Sequence, residues 1–338
     1  MRVSDKVIKT NITTLQHTIK THPIKDKCAT FSQKKMSSDR DNSLLVLGKA
    51  LAMAGVPTLV KLPTIPLDSV RSILQTQAAD PRVVKGERAP FKNSIQVLTQ
   101  VSKEQGVTAF WRGHTVDLAK NLLKFLIVNP LVSTLVLELF PRYSPQTTYV
   151  KIFLRSIVSG WLGGSCVLLA TQPLEYARFR LAVDVVGERQ FTGLMDVFKK
   201  TVAGPNGFLS LYTGLGVSVT KILAYRIMYF VGYDILRSLN PLKDDNGVLG
   251  ILSKFFIAEA TVFLAQLTWY PFDTICKRMQ LQADKPKEEW LYEDSIDCAK
   301  KIVKKEGIMG FYKGYETLVF GSVASAVLLI LSDQLFGQ

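Results

Sequence analysis

Three copies of one short pattern, roughly a hundred residues apart, limit what this chain can fold into. Pro66-Leu67-Asp68-Ser69-Val70-Arg71, Pro173-Leu174-Glu175-Tyr176-Ala177-Arg178 and Pro271-Phe272-Asp273-Thr274-Ile275-Cys276 each set a proline two residues before an acid. The first two copies also set an arginine five residues after the proline. A second marker repeats in phase: Trp111-Arg112-Gly113, Tyr212-Thr213-Gly214 and Tyr312-Lys313-Gly314. By subtraction the prolines stand 107 and 98 residues apart and the glycines 101 and 100. Two independent markers with one period describe a threefold tandem repeat.

Each repeat has the same internal order. An apolar stretch runs into the proline motif, a polar loop follows, and an aromatic residue (Phe91, Phe191, Tyr292) opens a short amphipathic segment. The aromatic-x-Gly marker comes next, and a second apolar stretch closes the unit. The six apolar stretches fall roughly at 44–75, 115–140, 150–182, 215–239, 250–281 and 316–337. A helix rises about 1.5 Å per residue, so each is long enough for roughly 30 Å of hydrocarbon. The expected fold is an all-α membrane protein of six transmembrane helices in three repeats of two (44–140, 150–239, 250–338), with short amphipathic helices on one side.

Composition favours a wet interior over an oily bundle. Mean hydropathy is only +0.16, 21% of residues are charged, and Lys61, Lys120, Lys124, Lys221, Arg226 and Glu259 lie inside apolar stretches. Charges at that depth face a water-filled cavity or a partner, or snorkel where they lie near helix ends. Soluble helical solenoids have shorter periods, of about 20–50 residues, and no need of such long apolar helices. The net charge of +14 is carried largely by loops that flank the apolar stretches, such as Arg82, Lys85, Arg88, Lys92 and Lys103, and no nucleic-acid motif accompanies it. Anionic lipid and anionic solutes are therefore the expected counter-charges, and nucleic acid is not.

Over about residues 44–338 the chain resembles the mitochondrial carrier family, and within it the ADP/ATP carriers most. The resemblance rests on the three proline motifs, on Lys103-Glu104-Gln105-Gly106 with Phe110-Trp111-Arg112-Gly113, on Arg178-Phe179-Arg180-Leu181-Ala182 with Phe191-Thr192-Gly193-Leu194, and on Tyr225-Arg226-Ile227-Met228-Tyr229-Phe230. It implies an inner-mitochondrial-membrane barrel of six tilted helices around a central cavity, with the short helices on the matrix side. It also implies a matrix gate in which Asp68 pairs with Arg178, Asp273 with Arg71, and Glu175 with a third base. Cys276 stands where that base belongs, and Lys277 and Arg278, rotated by about 100° per residue, are expected to point elsewhere. Gln75 and Gln280 occupy the places of the family's bracing glutamines.

The same resemblance places a substrate site at Lys61, Lys120, Lys221, Ile222, Tyr225 and Arg226. Here the chain departs from the nucleotide carriers: Gly321 replaces a phosphate-binding arginine, Lys221 replaces a glycine, and Trp269 replaces a small residue of the adenine slot. Nucleotide exchange is therefore not expected. The outer gate keeps Asp234 with Arg237, and Asp333 without a base, since Phe336 stands in the base's place. Cardiolipin is implied at the aromatic-x-Gly turns, near Arg112, Gly113, Gly214, Lys313 and Gly314.

Other signals are quiet. Gly160-Trp161-Leu162-Gly163-Gly164 lacks the Gly-Lys-Ser/Thr of a phosphate loop and reads as close helix packing. Cys28, Cys166, Cys276 and Cys298 have no metal or disulfide spacing, and His17, His22 and His114 are too scattered for a metal site or triad. No catalysis and no cofactor is expected. Residues 1–43 form a polar extension with nine basic and four acidic side chains, too poor in large apolar residues to fold alone. It reads as a targeting segment, a solvated tail or a docking arm; Ile8, Ile12, Leu15 and Ile19 would share one helix face. Two functions stay open: a carrier of a small anionic solute, and a non-transporting carrier-fold subunit of a large inner-membrane assembly.

Overall fold

The computed structural model describes residues 62–139, 149–187, 189–241 and 247–322. The polar extension, Lys61, the start of the first apolar stretch and most of the sixth lie outside the described residues. Those described are helical or in turns, with no strand among them. In chain order the described α-helices of eight residues or more are α1 (Ile65–Thr76), α2 (Ser94–Gln105), α3 (His114–Leu123), α4 (Asn129–Leu139), α5 (Tyr149–Val183), α6 (Leu194–Ala203), α7 (Leu215–Ser238), α8 (Val248–Leu281), α9 (Ser295–Glu306) and α10 (315–322). The helical stretches Val107–Leu139, Leu154–Val183 and Gly207–Ser238 are long and apolar enough to cross a membrane. Large apolar side chains such as Leu131, Leu137 and Phe256 face outward, exposed at 57–67%, as expected of a surface that meets lipid rather than water.

Local chemistry explains the boundaries. α2 and α9 begin at Asn93 and Asp294, whose side chains accept hydrogen bonds from the amides of Gln96 and Asp297 at 2.9 and 2.6 Å, satisfying amides the first turn leaves open. Both helices stop at glycines with positive φ, Gly106 (+82°) and Gly307 (+70°), a backbone region that L side chains avoid. Between α3 and α4 the chain widens into a π-helical turn, Lys124–Val128, where Pro130 cannot donate to the preceding turn and its ring pushes that turn's carbonyl aside. Pro173 and Pro271 lie within the continuous α5 and α8.

Threefold repetition extends into the interior. Phe91 packs with Val97 and Val101, Phe191 with Val197 and Leu211, and Tyr292 with Cys298 and Ile302. Val97, Val197 and Cys298 hold matching places and are each fully buried. The glycine-rich run of α5 is a packing surface, as its composition suggested. A Cβ added at Gly163 would lie 3.3 Å from Val136 of α4, and one at Gly164 would lie 3.1 Å from Ile222 of α7, so these helices approach α5 through side chains it lacks.

Candidate functional site

α1, α5 and α8 deliver the three motif acids to one enclosed cavity of about 220 Å³, bordered by Asp68, Asp117, Glu175, Arg178, Lys221, Asp273 and Lys277. Asp68 and Arg178 meet at 3.8 Å across the first and second repeats, as the motif positions suggested. Arg178 also holds Asp117 at 2.6 Å and Glu175 at 3.3 Å.

The rest of the network differs from the motif pairing. Arg71 bonds Asp68 of its own helix at 3.3 Å, and Asp273 is held by Lys221 at 2.9 Å and Lys277 at 3.1 Å. Glu175 finds its cross-repeat cation in Lys120, at 2.5 Å. Lys277 points into the cavity, contrary to expectation, because it stands one turn after Asp273 on the same face of α8. Arg278 does point away: fully buried, it bonds Glu306 and donates to the Gln75 carbonyl at 3.0 Å. Cys276 faces α7, with its Sγ 3.0 Å from the Ser218 hydroxyl. The seam between the third and first repeats is bridged by Gln75 rather than by an ion pair among the described residues. Its amide donates to Asp273 at 3.3 Å and its oxygen accepts from Lys277 at 2.7 Å. Gln280 borders the cavity nearby.

Two larger spaces lie beside this cavity. One, of about 500 Å³, is walled by Lys221, Ile222, Tyr225, Arg226, Tyr229, Phe230 and Trp269. Tyr225 stacks on Tyr229 with centroids 5.9 Å apart, and the Lys221 ammonium sits 5.4 Å above the Trp269 ring. The other, of about 700 Å³, has Lys120, Lys124, Glu175 and Arg226 on its border, and Arg226 packs against Gly160 so closely that a Cβ there would overlap it. Thus Lys120, Lys221 and Arg226, the described cations expected to hold substrate, border these adjoining spaces, but Lys120 and Lys221 are already engaged by gate acids. On α10 a side chain added at Gly321 would meet no described atom within 4 Å.

The remaining residues are placed as follows. Asp234 and Arg237 are exposed near the end of α7, and Asp333 lies outside the described residues. Gly113, Gly214 and Gly314 take φ of +84°, +80° and +78° immediately before α3, α7 and α10. The Arg112 guanidinium is committed to Asp184 and the Phe191 carbonyl, and Lys313 pairs with Glu306 at 2.6 Å.

One feature had no counterpart in the sequence reading: Gln77, Asp184 and Gln282, each eleven residues after its motif proline, clamp the loop's aromatic residue. Gln77 accepts from the Phe91 amide at 2.7 Å, Asp184 from the Phe191 amide at 3.0 Å, and Gln282 from the Tyr292 amide at 3.1 Å.

Comparison with known proteins agrees with this architecture. The sequence matches the family described as "Mitochondrial carrier protein" over residues 45–135, 150–243 and 247–335. It is 33% identical to the "ADP,ATP carrier protein" of Parachlorella kessleri over 84% of this chain and 83% of that one. It is 32% identical to human "ADP/ATP translocase 4" over 89% and 95%. It is also 30% identical to the Dictyostelium discoideum "Mitochondrial substrate carrier family protein ancA" over 89% and 96%. Three matched repeats, the six-stretch pattern and the shared cavity lead to one assignment: the chain belongs to the mitochondrial carrier family and is similar to its ADP/ATP carriers.

Proposed function

We propose that this protein is an inner-mitochondrial-membrane carrier of a small anionic solute and does not exchange ADP for ATP. The observation that carries the reading is the juxtaposition of Lys120, Lys124, Lys221 and Arg226 around spaces of about 500 and 700 Å³, a size that suits a small ligand. Cations inside a membrane barrel are costly unless they serve a charged solute or a partner. Against a nucleotide stand Trp269 and Lys221, which together fill the wall where the ADP/ATP-carrier resemblance puts a flat purine. Gly321 adds an uncharged residue where the resemblance puts a phosphate-binding arginine. Bound cardiolipin at Gly113, Gly214 and Gly314 belongs to the same proposal. With Arg112 and Lys313 engaged by protein groups, the lipid phosphate would draw on backbone amides at the helix starts.

A non-transporting subunit of a large inner-membrane assembly is the second reading. It is favoured by the outer end of the second helix, where Asn129–Val136 carries no charge with which to close a gate. The test of the first reading is a melting-temperature panel on purified protein in mild detergent with ADP, ATP, inorganic phosphate and short dicarboxylates. The carrier reading expects a shift with one of the small anions and none with the nucleotides. Shifts with ADP and ATP alone would overturn it.

A further inference from the structure

Where the third repeat meets the first, two helix starts are joined by one side-chain bond. The Ser94 hydroxyl, on the first residue of α2, donates to the carboxylate of Glu316, the second residue of α10, at 2.5 Å. The first turn of each helix leaves backbone amides without an intrahelical acceptor, and a negative charge is favoured there. The anion that occupies this junction is the protein's own.

Matching positions in the other repeats carry no such charge. Two residues after the marker glycine stand Thr115 on α3 and Gly216 on α7, against Glu316 on α10. Gly113, Gly193 and Gly214 lead into α3, α6 and α7 without a side-chain cap. Asp294 is an acid at the start of α9, but its carboxylate is spent on its own helix, accepting from the Asp297 amide at 2.6 Å.

The surroundings decide what kind of anion suits such a junction. The second residue of each short helix is large, apolar and open: Ile95 is 69% exposed, Met195 66% and Ile296 65%. In a chain that crosses a membrane, side chains like these belong among acyl chains rather than in water. A free phosphate would leave them bare. A phospholipid sets its phosphate on the amides and its chains on the apolar side chain.

We propose, resting on the cardiolipin reading above, that Glu316 is an internal substitute for a lipid phosphate, so that the three lipid junctions are unequal. The threefold repeat pairs α3 with α6 and α7 with α9 as it pairs α10 with α2, and these first two junctions hold an anionic phospholipid tightly. At the third, Glu316 already satisfies the helix starts. A lipid phosphate enters there only by displacing the carboxylate from Ser94 and against its charge. The seam between the third and first repeats is therefore closed by the chain itself, whereas the other two depend on the anionic lipid of the membrane.

Native mass spectrometry of the full-length protein in mild detergent, titrated with cardiolipin, counts the sites. Phosphatidylcholine and inorganic phosphate are the controls. The expected result is two cardiolipins on the unaltered protein, with a third only at a concentration roughly tenfold higher. In Glu316→Gln, and in Glu316→Thr, which takes the residue of the first repeat, the third binds together with the other two. Gly216→Glu makes the reverse change, since a Cβ at Gly216 meets nothing within 4 Å and Ser295 on α9 matches Ser94; it is expected to lose one of the two tight cardiolipins. Melting temperatures without lipid establish that each variant is folded. Three equivalent cardiolipins on the unaltered protein, or one count shared by all the variants, overturns this proposal and leaves the cardiolipin reading standing. Inorganic phosphate that displaces the lipid from the two tight junctions, or no cardiolipin on any of the proteins, overturns both.

Discussion

The Arg112 guanidinium lies 3.2 Å from the Asp184 carboxylate across the seam between the first two repeats, and it supplies the donor that the other two repeats carry in one side chain. Gln77 and Gln282 each accept from the aromatic residue's amide and donate to its carbonyl. Asp184 can only accept, so Arg112 donates to the Phe191 carbonyl in its place. Removing Arg112 leaves Asp184 buried with an unpaired charge, and Arg112→Ala is expected to cost about 2–4 kcal/mol. Asp184→Gln rebuilds the self-sufficient clamp, and in that background Arg112→Ala is expected to cost less than about 1 kcal/mol. Thermal unfolding of the four proteins gives the answer; equal costs in both backgrounds would sink the idea.

Glycine substitutions separate backbone strain from contact. Gly106 and Gly113 both have positive φ, but a Cβ at Gly106 meets nothing within 4 Å, whereas one at Gly113 meets the Arg178 carbonyl at 3.1 Å. Gly106→Ala is expected to cost about 1 kcal/mol and Gly113→Ala about 2–3 kcal/mol. The difference in melting temperature between the two variants measures how tightly α3 approaches α5.

Burial pushes the Cys298 thiol on α9 up to about 12. The unfolded thiol ionises near its ordinary value of about 8.5, so above that pH the unfolded state binds fewer protons than the folded one, and stability falls as pH rises toward 12. Below pH 8 the effect is absent. Cys298→Ala is expected to flatten this alkaline decline, and in the unaltered protein iodoacetamide is expected to spare Cys298 at pH 8 until the fold opens.

Two of the three departures from a nucleotide site can be reversed without touching the gate. Gly321→Arg with Trp269→Ser restores a cation and opens the wall, whereas Lys221 is better kept because its loss would remove one of the two cations that hold the buried Asp273. The double variant is expected to gain an ADP-dependent rise in melting temperature of a few degrees that the unaltered protein lacks. No gain would mean that the slot is set elsewhere.

The architecture was legible because it is repetitive: three prolines, three glycines and three aromatics fixed the helices and the cores beneath them. Asp68 and Arg178 were legible for the same reason, as matched positions of successive repeats. The lysine pairs were not. Position on a helix gives a direction, but a lysine's four-carbon stem reaches past it, and Lys120 and Lys221 could equally have stood free for substrate. Asp273 and Lys277 stand one turn apart on one face of α8, but the motif spacing leads to Cys276 instead. The clamp escaped because its middle member is an aspartate, whose missing donor comes from a distant arginine that no local pattern connects to it.

Transport itself is the most direct test of the central claim. In liposomes holding the purified full-length protein, uptake of labelled inorganic phosphate and short dicarboxylates, each against an internal pool, and of labelled ADP against internal ATP, is measured beside empty vesicles. The account predicts uptake of at least one of these small anions well above empty vesicles and nucleotide exchange equal to them. Rapid ADP–ATP exchange, or no uptake of any small anion by protein that purifies only within a large assembly, would contradict it.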